Sequence, residues 1–216
     1  MNNLELHSDP PMRGTAFAVD DDPLFLDALA MTLANAGFEV RPYRSGTEFL
    51  RHYRAGGASC LVLDVSLPDL SGLEVQEHLA AQSDPIPIVF LTGHGDVTTS
   101  VTALKNGAFH FLEKPVDDGE LIKSVEEALK WDRHRRESEQ QHAGVMEKFC
   151  TLTTRERQIM SMVVQDSSSK QIARELGISP RTVEHHRAHI MKKMDAGSLN
   201  ELVIMSVICG VRELRL

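Results

Sequence analysis

The sequence predicts two domains: a doubly wound α/β domain with a five-stranded parallel sheet, followed by an all-α domain of four helices. The chain has 216 residues, more than one average domain, and 42% of them are apolar, as is usual for proteins with buried cores. Short apolar runs alternate with helix-like segments as far as residue 130. After residue 150 every segment is helix-like, which indicates a change of fold class along the chain.

The first domain, over residues 14–130, contains five strand-like and five helix-like segments in alternation. Nearly unbroken apolar strands in such an order predict a parallel sheet, because right-handed crossovers place helices over both of its faces. The predicted strands are TAFAVD, FEVRPY, CLVLD, PIPIVFLT and AFHFLEK. The predicted helices are LFLDALAMTLANAG, SGTEFLRHY, SGLEVQEHLAA, DVTTSVTALKNG and DGELIKSVEEALKW.

Local patterns support the individual helices. Ser45 with Glu48, and Ser71 with Glu74, fit the capping box, in which a hydroxyl and a carboxylate satisfy free amides at a helix start. The first helix should turn one apolar stripe toward the sheet. That stripe comprises Leu24, Phe25, Ala28, Leu29 and Leu33.

Polar side chains close four of the predicted strands. They are Asp20 and Asp21 after the first strand, Asp64 after the third, Thr92 after the fourth and Lys114 after the fifth. Because functional crevices lie beyond the carboxyl ends of parallel strands, these side chains should converge. Three neighbouring carboxylates repel one another, so they either raise a pKa or hold a cation, and hard oxygen ligands suit Mg²⁺. With Lys114 adding positive charge, the site suits phosphoryl transfer, and Asp64 is the central candidate for the nucleophile.

Each of these residues also has a simpler interpretation. An Asp at a strand end is usually a turn or cap residue, an Asp-Asp pair alone carries little information, and Thr92 alone could be an ordinary strand residue. The agreement of five positions in one order favours a functional site over a purely structural one.

Four stretches, VDDD, LVLDVSLPDLSG, LTGHGD and FLEKP, resemble in order and spacing the receiver domain of bacterial two-component response regulators, whose fold is flavodoxin-like. The resemblance implies that Asp64 accepts a phosphoryl group and that Thr92 and Lys114 bind the phosphoryl oxygens. It also implies a set of Mg²⁺ ligands. These are Asp20 through water, and Asp21, Asp64 and the backbone carbonyl of Ser66 directly.

The same resemblance implies a switch. Phe111 matches the aromatic residue that swings inward when the hydroxyl of Thr92 turns toward the phosphate, so that a local charge becomes a surface change. It further implies a cis peptide bond between Lys114 and Pro115. Without the resemblance, Phe111 would be read as an ordinary core residue.

Composition predicts the cellular compartment of the protein, the state of its cysteines and the position of a linker. No apolar run approaches the length that spans a bilayer, and the N-terminus lacks the features of a secretory signal, so the expected compartment is the cytoplasm and no membrane partner is expected. Cys60, Cys150 and Cys209 lack metal-site or disulfide spacing and are expected to be free and mostly buried. Residues 131–150 are highly charged with few apolar positions and predict a solvated helical linker.

Charge is unevenly distributed. The formal net charge is −8, but residues 151–216 hold ten Lys and Arg against seven Asp and Glu, a net charge of +3, which leaves −11 for residues 1–150. Between Lys170 and Lys193 there are six basic residues and two acidic ones. The second part of the chain therefore has a local positive surface, and the two parts are expected to have different partners.

The second domain, over residues 151–216, reads as a helix, a tight turn and further helices. Thr153 and Glu156 make a capping box, and so do Ser198 and Glu201 before a final helix that is expected to be mostly core. A short helix from about Ser169 ends at Gly177, which suits a left-handed C-terminal cap. Ser179 caps the next helix, and Pro180 occupies its first turn.

That next helix has two faces. Val183, Ile190 and Met194 lie on one side, and the opposite side is polar and mostly basic. The polar side carries Arg181, Glu184, His185, Ala188 and Lys192. Such a helix can lie in the major groove of DNA, although a charged face is also what solvent exposure alone would produce. His185 and His189 could form a metal pair only with further ligands.

The stretches LTTRERQIM, SKQIARELGIS and PRTVEHHRAHIMKKM resemble the LuxR-type helix-turn-helix of the NarL/FixJ regulators, most closely the FixJ branch. The resemblance implies a set of DNA-binding residues: Lys170, Arg181, Thr182, Glu184, His185, Arg187, Ala188, Lys192 and Lys193. Two departures from many relatives are Asp166 in place of Gly and Glu184 in place of Lys. They affect turn geometry and base preference, so no relative's target sequence can be borrowed.

Together these patterns predict a phosphorylation-dependent transcription regulator. A sensor histidine kinase would phosphorylate Asp64, after which the chain would form a homodimer and bind double-stranded promoter DNA, with RNA polymerase as a possible further partner. An enzyme is not expected, because phosphotransferases of this type generally carry a second Asp where this chain has Ser66. The alternative is a DNA-binding regulator whose receiver is a phosphorylation-independent dimerisation scaffold.

Overall fold

We describe residues 13–54, 56–81, 85–93 and 106–211 from a computed structural model. The chain forms two compact units, Met1–Arg136 and Glu137–Leu216, and each is described by itself. The predicted fold class is confirmed: a five-stranded parallel sheet with helices is followed by an all-helical region. The domain limits at 130 and 150 remain predictions.

The sheet of the first unit has the strand order β2-β1-β3-β4-β5, and all neighbouring strands are parallel. In the sheet, β2 lies on one side of β1, and β3, which follows β2 in the chain, lies on the other side of β1. The direction of winding therefore reverses between β1 and β3, and such a switch point opens a crevice at the carboxyl ends of these two strands. The strands are β1 Thr15–Val19, β2 Glu39–Tyr43, β3 Ser59–Asp64, β4 Ile88–Thr92 and β5 His110–Glu113.

Helices alternate with these strands as predicted. In the first unit they are α1 Pro23–Asn35, α2 Gly46–His52, α3 Gly72–Ala80 and the start of α4, which runs over Asp118–Cys150. The predicted helix DVTTSVTALKNG lies almost entirely outside the described residues. Within the described ranges we find no helix whose length and apolarity would suffice for a membrane crossing.

Successive strand residues point to opposite faces of the sheet, so the unit has two apolar layers. On one face, strand residues such as Val62 and Leu91 pack against α1 and α4. On the other face, Leu63 and Phe90 pack against α2 and α3. Both faces of the sheet are thus covered by helices, which explains why the strands read as nearly unbroken apolar runs.

The predicted apolar stripe of α1 is wrong at two positions. Leu24 is 80% exposed and Ala28 is also exposed, whereas Leu26 is buried together with Leu29 and Leu33. Asp22 caps the helix, and its carboxylate accepts hydrogen bonds from the Leu24 and Phe25 amides. This start fixes a phase in which positions 26, 29 and 33 face the sheet.

The capping predictions hold in full for two helices and in half for two others. Complete capping boxes are present at Ser71 and at Thr153. Ser45 and Ser198 accept the expected amide bond, but the reciprocal carboxylates bond the amides of Arg44 and Gly197, one residue before the cap. The hydroxyl cap and its acidic partner can therefore be predicted from local sequence. Which amide the acidic side chain bonds depends on the conformation of the backbone just before the helix.

Asp69 is a cap that local patterns do not reveal. Its carboxylate oxygens accept hydrogen bonds from the Gly46 and Thr47 amides at the start of α2, at 3.3 and 2.9 Å. Burial favours the neutral acid, but the hydrogen bonds to Thr47 and neighbouring amides outweigh it and hold the pKa of Asp69 well below its ordinary value. The loop after β3 is therefore fastened to α2 by a carboxylate.

The long helix α4 contains a buried carboxylate within the segment predicted as linker. Asp132 is fully buried and accepts hydrogen bonds from the Ser59 amide, Arg135 and Arg136, at distances of 3.0, 2.7 and 2.8 Å. Breaking a buried ion pair of this kind typically costs about 3–5 kcal/mol. The cluster fastens α4 to the beginning of β3. Arg135 and Arg136 are local partners of Asp132 on the same helix, but Ser59 is 73 residues away, so no local pattern shows the link to the sheet.

In the second unit, as far as residue 211, the end of α4 is followed by four helices: α5 Thr154–Val164, α6 Ser169–Leu176, α7 Pro180–Met194 and α8 Leu199–Ile208. The left-handed cap at Gly177 is confirmed with φ 66°, and Ser179 caps α7 as predicted. Asp166 has φ 67° between α5 and α6. This is the left-handed region, which Asp tolerates better than most side chains.

The core of the second unit joins all of its helices. Val183, Ile190 and Met194 are buried as predicted. In the final helix Leu202 and Met205 are buried, but Leu199 and Ile204 are 38% and 64% exposed, so part of this helix offers an apolar surface. The three cysteines are free; Cys60 is buried, Cys209 is half-buried and Cys150 is exposed, contrary to the expectation that most are buried.

Candidate functional site

The carboxyl ends of β1 and β3 bring three carboxylates together. Each of Asp20, Asp21 and Asp64 offers an oxygen, and these oxygens lie within 4.8 Å of one another. Asp20 and Asp64 are only 0% and 6% exposed, whereas Asp21 is exposed. Sequence order alone predicted this convergence, and the topology produces it because β1 and β3 are neighbours at the switch point.

Lys114 lies between two of these carboxylates. Its Nζ is 2.6 Å from Asp20 Oδ2 and 3.0 Å from Asp64 Oδ2. Burial raises the pKa of Asp20, against the opposing effect of its bond from Lys114. Burial would lower the pKa of Lys114, but its hydrogen bonds to both carboxylates outweigh burial and raise that pKa. The ammonium therefore remains charged and compensates the acidic cluster.

Backbone groups orient the same carboxylates. The Asp22 amide donates to Asp20 Oδ1 at 3.0 Å, and the Ser66 amide donates to Asp64 Oδ1 at 3.2 Å. Gly72 comes so close to the end of β3 that a Cβ there would lie 2.6 Å from the carbonyl oxygen of Asp64. The loop after β3 thus folds back tightly and leaves the second carboxylate oxygen of Asp64 facing the crevice and Lys114.

The donor set fits Mg²⁺. This ion binds hard oxygen ligands at about 2.0–2.1 Å, so oxygens on opposite sides of one ion are about 4 Å apart. The three carboxylates, within 4.8 Å of one another, need only small movements to share an ion. Asp20, Asp21 and Asp64 are therefore consistent with a magnesium site.

Thr92 and Phe111 lie on the neighbouring strands. Thr92 ends β4, and its hydroxyl donates to the Gly93 carbonyl at 2.8 Å. Phe111 in β5 is half-buried and stacks on Phe90, with ring centroids 5.4 Å apart. The peptide bond between Lys114 and Pro115 is cis, as the resemblance implies. The phosphoryl-binding and switch roles of Thr92 and Phe111 remain predictions.

The outer face of α7 in the second unit presents most of the predicted DNA-binding residues to solvent. The exposed members of the set are Lys170 on α6, together with Arg181, Thr182, Glu184, His185, Ala188 and Lys192. Arg187 is half-buried. Glu184 accepts a hydrogen bond from the Ser169 hydroxyl on α6, so its carboxylate is oriented by the preceding helix.

Lys193 has a different environment. Its Nζ lies 2.7 Å from Oε2 of the buried Glu156 and 3.3 Å from the Thr151 carbonyl. Burial alone would raise the pKa of Glu156, but the bonds from Lys193 and Thr153 prevail and lower this pKa to about 2. The Lys193 ammonium is thus engaged inside the unit, where it fastens the end of α7 to the start of α5, and its predicted contact with DNA would require this pair to open.

Comparison with known proteins agrees with this geometry. Residues 16–126 match the family model of the response regulator receiver domain, and residues 150–206 match the family of bacterial regulatory proteins called the luxR family. The chain belongs to the two-component response regulators with a LuxR-type DNA-binding domain. This is a family of transcription regulators and not of enzymes.

Relatives match this response regulator over most of its length. It is 42% identical over 205 residues to nodulation protein W of Bradyrhizobium diazoefficiens, covering 95% of this chain and 90% of that protein. It is 39% identical over 199 residues to the transcriptional regulatory protein FixJ of the same species, covering 92% and 97%. Among solved structures, response regulator StyR has 41% identity and a TM-score of 0.83, covering 90% of this chain and 98% of that one.

The pair of Lys193 with Glu156 predicts a loss of stability in acid. Because the folded pKa of Glu156 is about 2 and its ordinary value is 4.5, the pair stabilises the second unit fully above pH 4.5, and this stabilisation is lost as the pH falls from 4.5 through 2. In Glu156→Gln, the free energy of unfolding should fall by about 2 kcal/mol at pH 7. Its dependence on pH in that window should flatten.

Hydrogen exchange of amides in α5 and α7 measures this unfolding in the full-length protein. Glu175→Gln, which changes an exposed carboxylate on α6, is the matched control and should alter stability by less than about 0.5 kcal/mol. A Glu156→Gln protein that keeps the wild-type pH dependence would contradict the proposed role of the pair.

Proposed function

We propose that this response regulator is a phosphorylation-dependent transcription regulator. A sensor histidine kinase donates a phosphoryl group to Asp64, the chain then forms a homodimer, and the paired helix-turn-helix domains bind promoter DNA. The observation that carries this proposal is the position of Asp64, whose carboxylate lies between two further carboxylates and the ammonium of Lys114. A receiver of this family with all of these groups in place has what an acceptor of phosphoryl groups requires.

The chemistry at Asp64 is a displacement at phosphorus. A carboxylate oxygen of Asp64 forms a bond to phosphorus while the bond from phosphorus to the donor breaks, and the donor leaves with the electron pair. For a phosphohistidine donor, the imidazole nitrogen is the leaving atom. Asp64 reaches the reaction as an oriented nucleophile, because the Ser66 amide holds one of its oxygens and Lys114 lies against the other.

The remaining groups stabilise the charge of the transferred phosphoryl group. Lys114 and the hydroxyl of Thr92 bind its oxygens. Mg²⁺, when bound by Asp20, Asp21, Asp64 and the Ser66 carbonyl, supplies further positive charge for those oxygens. For Thr92 this role requires its hydroxyl to leave the Gly93 carbonyl, which it now bonds at 2.8 Å. That rotation opens the space into which Phe111 swings, and the receiver surface changes.

The DNA-binding half acts through α7. Arg181, Arg187, Lys192 and Lys170 supply charges for phosphate contacts, which fix register but carry no sequence information. Glu184, His185 and Ala188 lie on the groove-facing surface, where a carboxylate can accept from the cytosine amino group. Thr182 lies in the first turn of the same helix. The exposed Leu199 and Ile204 of α8 support dimerisation, which places two copies of α7 on half-sites one helical turn apart.

The first expected result is an adduct at Asp64. Incubation of the full-length protein with acetyl phosphate and Mg²⁺ should add one phosphoryl group, found at Asp64 by mass spectrometry, and should tighten binding to a duplex selected from random sequence. Asp64→Asn should gain no adduct because the nucleophilic oxygen is gone. Asp27→Asn, which changes an exposed carboxylate on α1, should react as the wild type does.

Two outcomes would contradict this proposal. A folded wild-type protein that gains no phosphoryl group would leave the receiver as a dimerisation scaffold. If the adduct forms but leaves both dimerisation and DNA affinity unchanged, phosphorylation of Asp64 does not regulate DNA binding.

The second expected result concerns the salt dependence of DNA binding. Lys192→Ala should weaken binding to the selected duplex and reduce the slope of log affinity against log salt by about 0.9, the value for one phosphate contact. Lys130→Ala removes the same charge from an exposed position of the receiver and should leave the slope unchanged. Fluorescence anisotropy at several salt concentrations measures both, and equal slopes for the two variants would exclude the proposed contact.

A further inference from the structure

Phe25, near the start of α1, contacts the charged end of Lys114. The Lys114 Nζ lies 4.2 Å from the centroid of the Phe25 ring. Among the described residues, the other contacts of this kind are longer, at 5.1 to 5.9 Å. The sequence pattern marks Phe25 only as a member of an apolar stripe, and its ring is indeed half-buried against the sheet core. The contact of this ring with an ammonium does not follow from its place in the apolar stripe, because any apolar side chain could fill that place.

The contact adds a third group to the described environment of the ammonium. Two of the groups around it are carboxylates, with Asp20 Oδ2 at 2.6 Å and Asp64 Oδ2 at 3.0 Å. The ring of Phe25 supplies a third contact, and the Lys114 side chain is only 21% exposed. An aromatic face attracts a cation through its quadrupole, and this attraction grows as water is excluded. An aliphatic side chain of the same size would exclude water but would not attract the charge.

We propose that Phe25 is a positioning residue for Lys114 during acceptance of the phosphoryl group, which rests on the function proposed above. A lysine side chain is flexible and tends to extend its charge into water. The ring holds the ammonium over the crevice, next to the oxygen of Asp64 that attacks phosphorus. It thereby lowers the cost of ordering the cation when the phosphoryl group arrives.

The ordinary alternative is that Phe25 only fills space in the core. Phe25→Leu separates the two roles, because Leu retains apolar contact but has no aromatic face. Phe25→Tyr retains the ring and should behave as the wild type does. Leu24→Ala is the matched control on the same helix turn, since Leu24 is 80% exposed and is not in the pocket.

The rate of adduct formation tests the proposal in the full-length protein. With acetyl phosphate, a carboxylate oxygen of Asp64 bonds to phosphorus as the bond from phosphorus to the acetyl oxygen breaks, and acetate leaves with the electron pair. Phe25→Leu should react about fivefold more slowly, the factor that corresponds to a cation–π contact of about 1 kcal/mol. Phe25→Tyr and Leu24→Ala should react within about twofold of the wild type.

A second readout needs neither Mg²⁺ nor a phosphoryl donor. The ring current of Phe25 should shift the NMR signals of the Lys114 ε-methylene protons upfield in the wild type and in Phe25→Tyr, and this shift should vanish in Phe25→Leu. If Phe25→Leu fails to fold, the wild-type spectrum alone shows whether the Phe25 ring lies against Lys114. The rate of adduct formation in Phe25→Tyr then shows whether another aromatic ring can replace that of Phe25.

The outcomes separate this inference from the proposed function. If the wild type gains no phosphoryl group, the proposed function fails first. If the wild type reacts and Phe25→Leu reacts equally fast, the positioning role is overturned. Equal slowing of Phe25→Leu and Phe25→Tyr, or an unshifted Lys114 signal in the wild type, would overturn it as well.

Discussion

The ammonium of Lys114, bonded to Asp20 and Asp64, is the interaction on which the rest of the receiver site depends. A parallel sheet that reverses its winding between β1 and β3 brings carboxylates from both strands to one crevice. Two of them are buried, and for Asp20 both burial and the neighbouring Asp64 oppose the ionised form and raise its pKa. Lys114 offsets both effects at distances of 2.6 and 3.0 Å. The ammonium that bonds these carboxylates is also the group that we propose binds the oxygens of the phosphoryl group.

The second unit follows a related principle. A buried carboxylate, Glu156, is compensated by Lys193, and this pair fixes the end of α7 relative to the start of α5. Glu184 is oriented from α6 by the Ser169 hydroxyl. Internal polar bonds therefore hold both ends of α7 against its neighbouring helices, while Arg181 and Lys192 remain exposed. Because α7 is already held in place, we expect its binding to DNA to cost little conformational entropy.

Much of this structure could be predicted because its signals are local. Apolar runs that end in polar residues predicted the strands and the order of Asp20, Asp64 and Lys114, and hydroxyl residues three positions before acidic ones predicted four of the eight helix starts in the described part of the chain. What escaped prediction depends on partners distant in sequence. Asp132 bonds the Ser59 amide, Asp69 caps a helix that precedes it, and the ring of Phe25 meets Lys114. The error in α1 is of another kind, because its cap Asp22 is a local feature, and Leu24 next to it is exposed instead of buried.

The most direct test of this account measures how Lys114 competes with a metal ion. If the ammonium compensates the three carboxylates, its removal in Lys114→Ala takes away the cation that bonds two of them, and they should bind Mg²⁺ more tightly. NMR titration of the full-length protein, followed at the amides of Asp21 and Ser66, gives the affinity in both proteins. We expect saturable Mg²⁺ binding at these amides in both proteins, with an affinity at least several-fold higher in Lys114→Ala. Unchanged or weaker affinity in the variant would contradict the central role of Lys114.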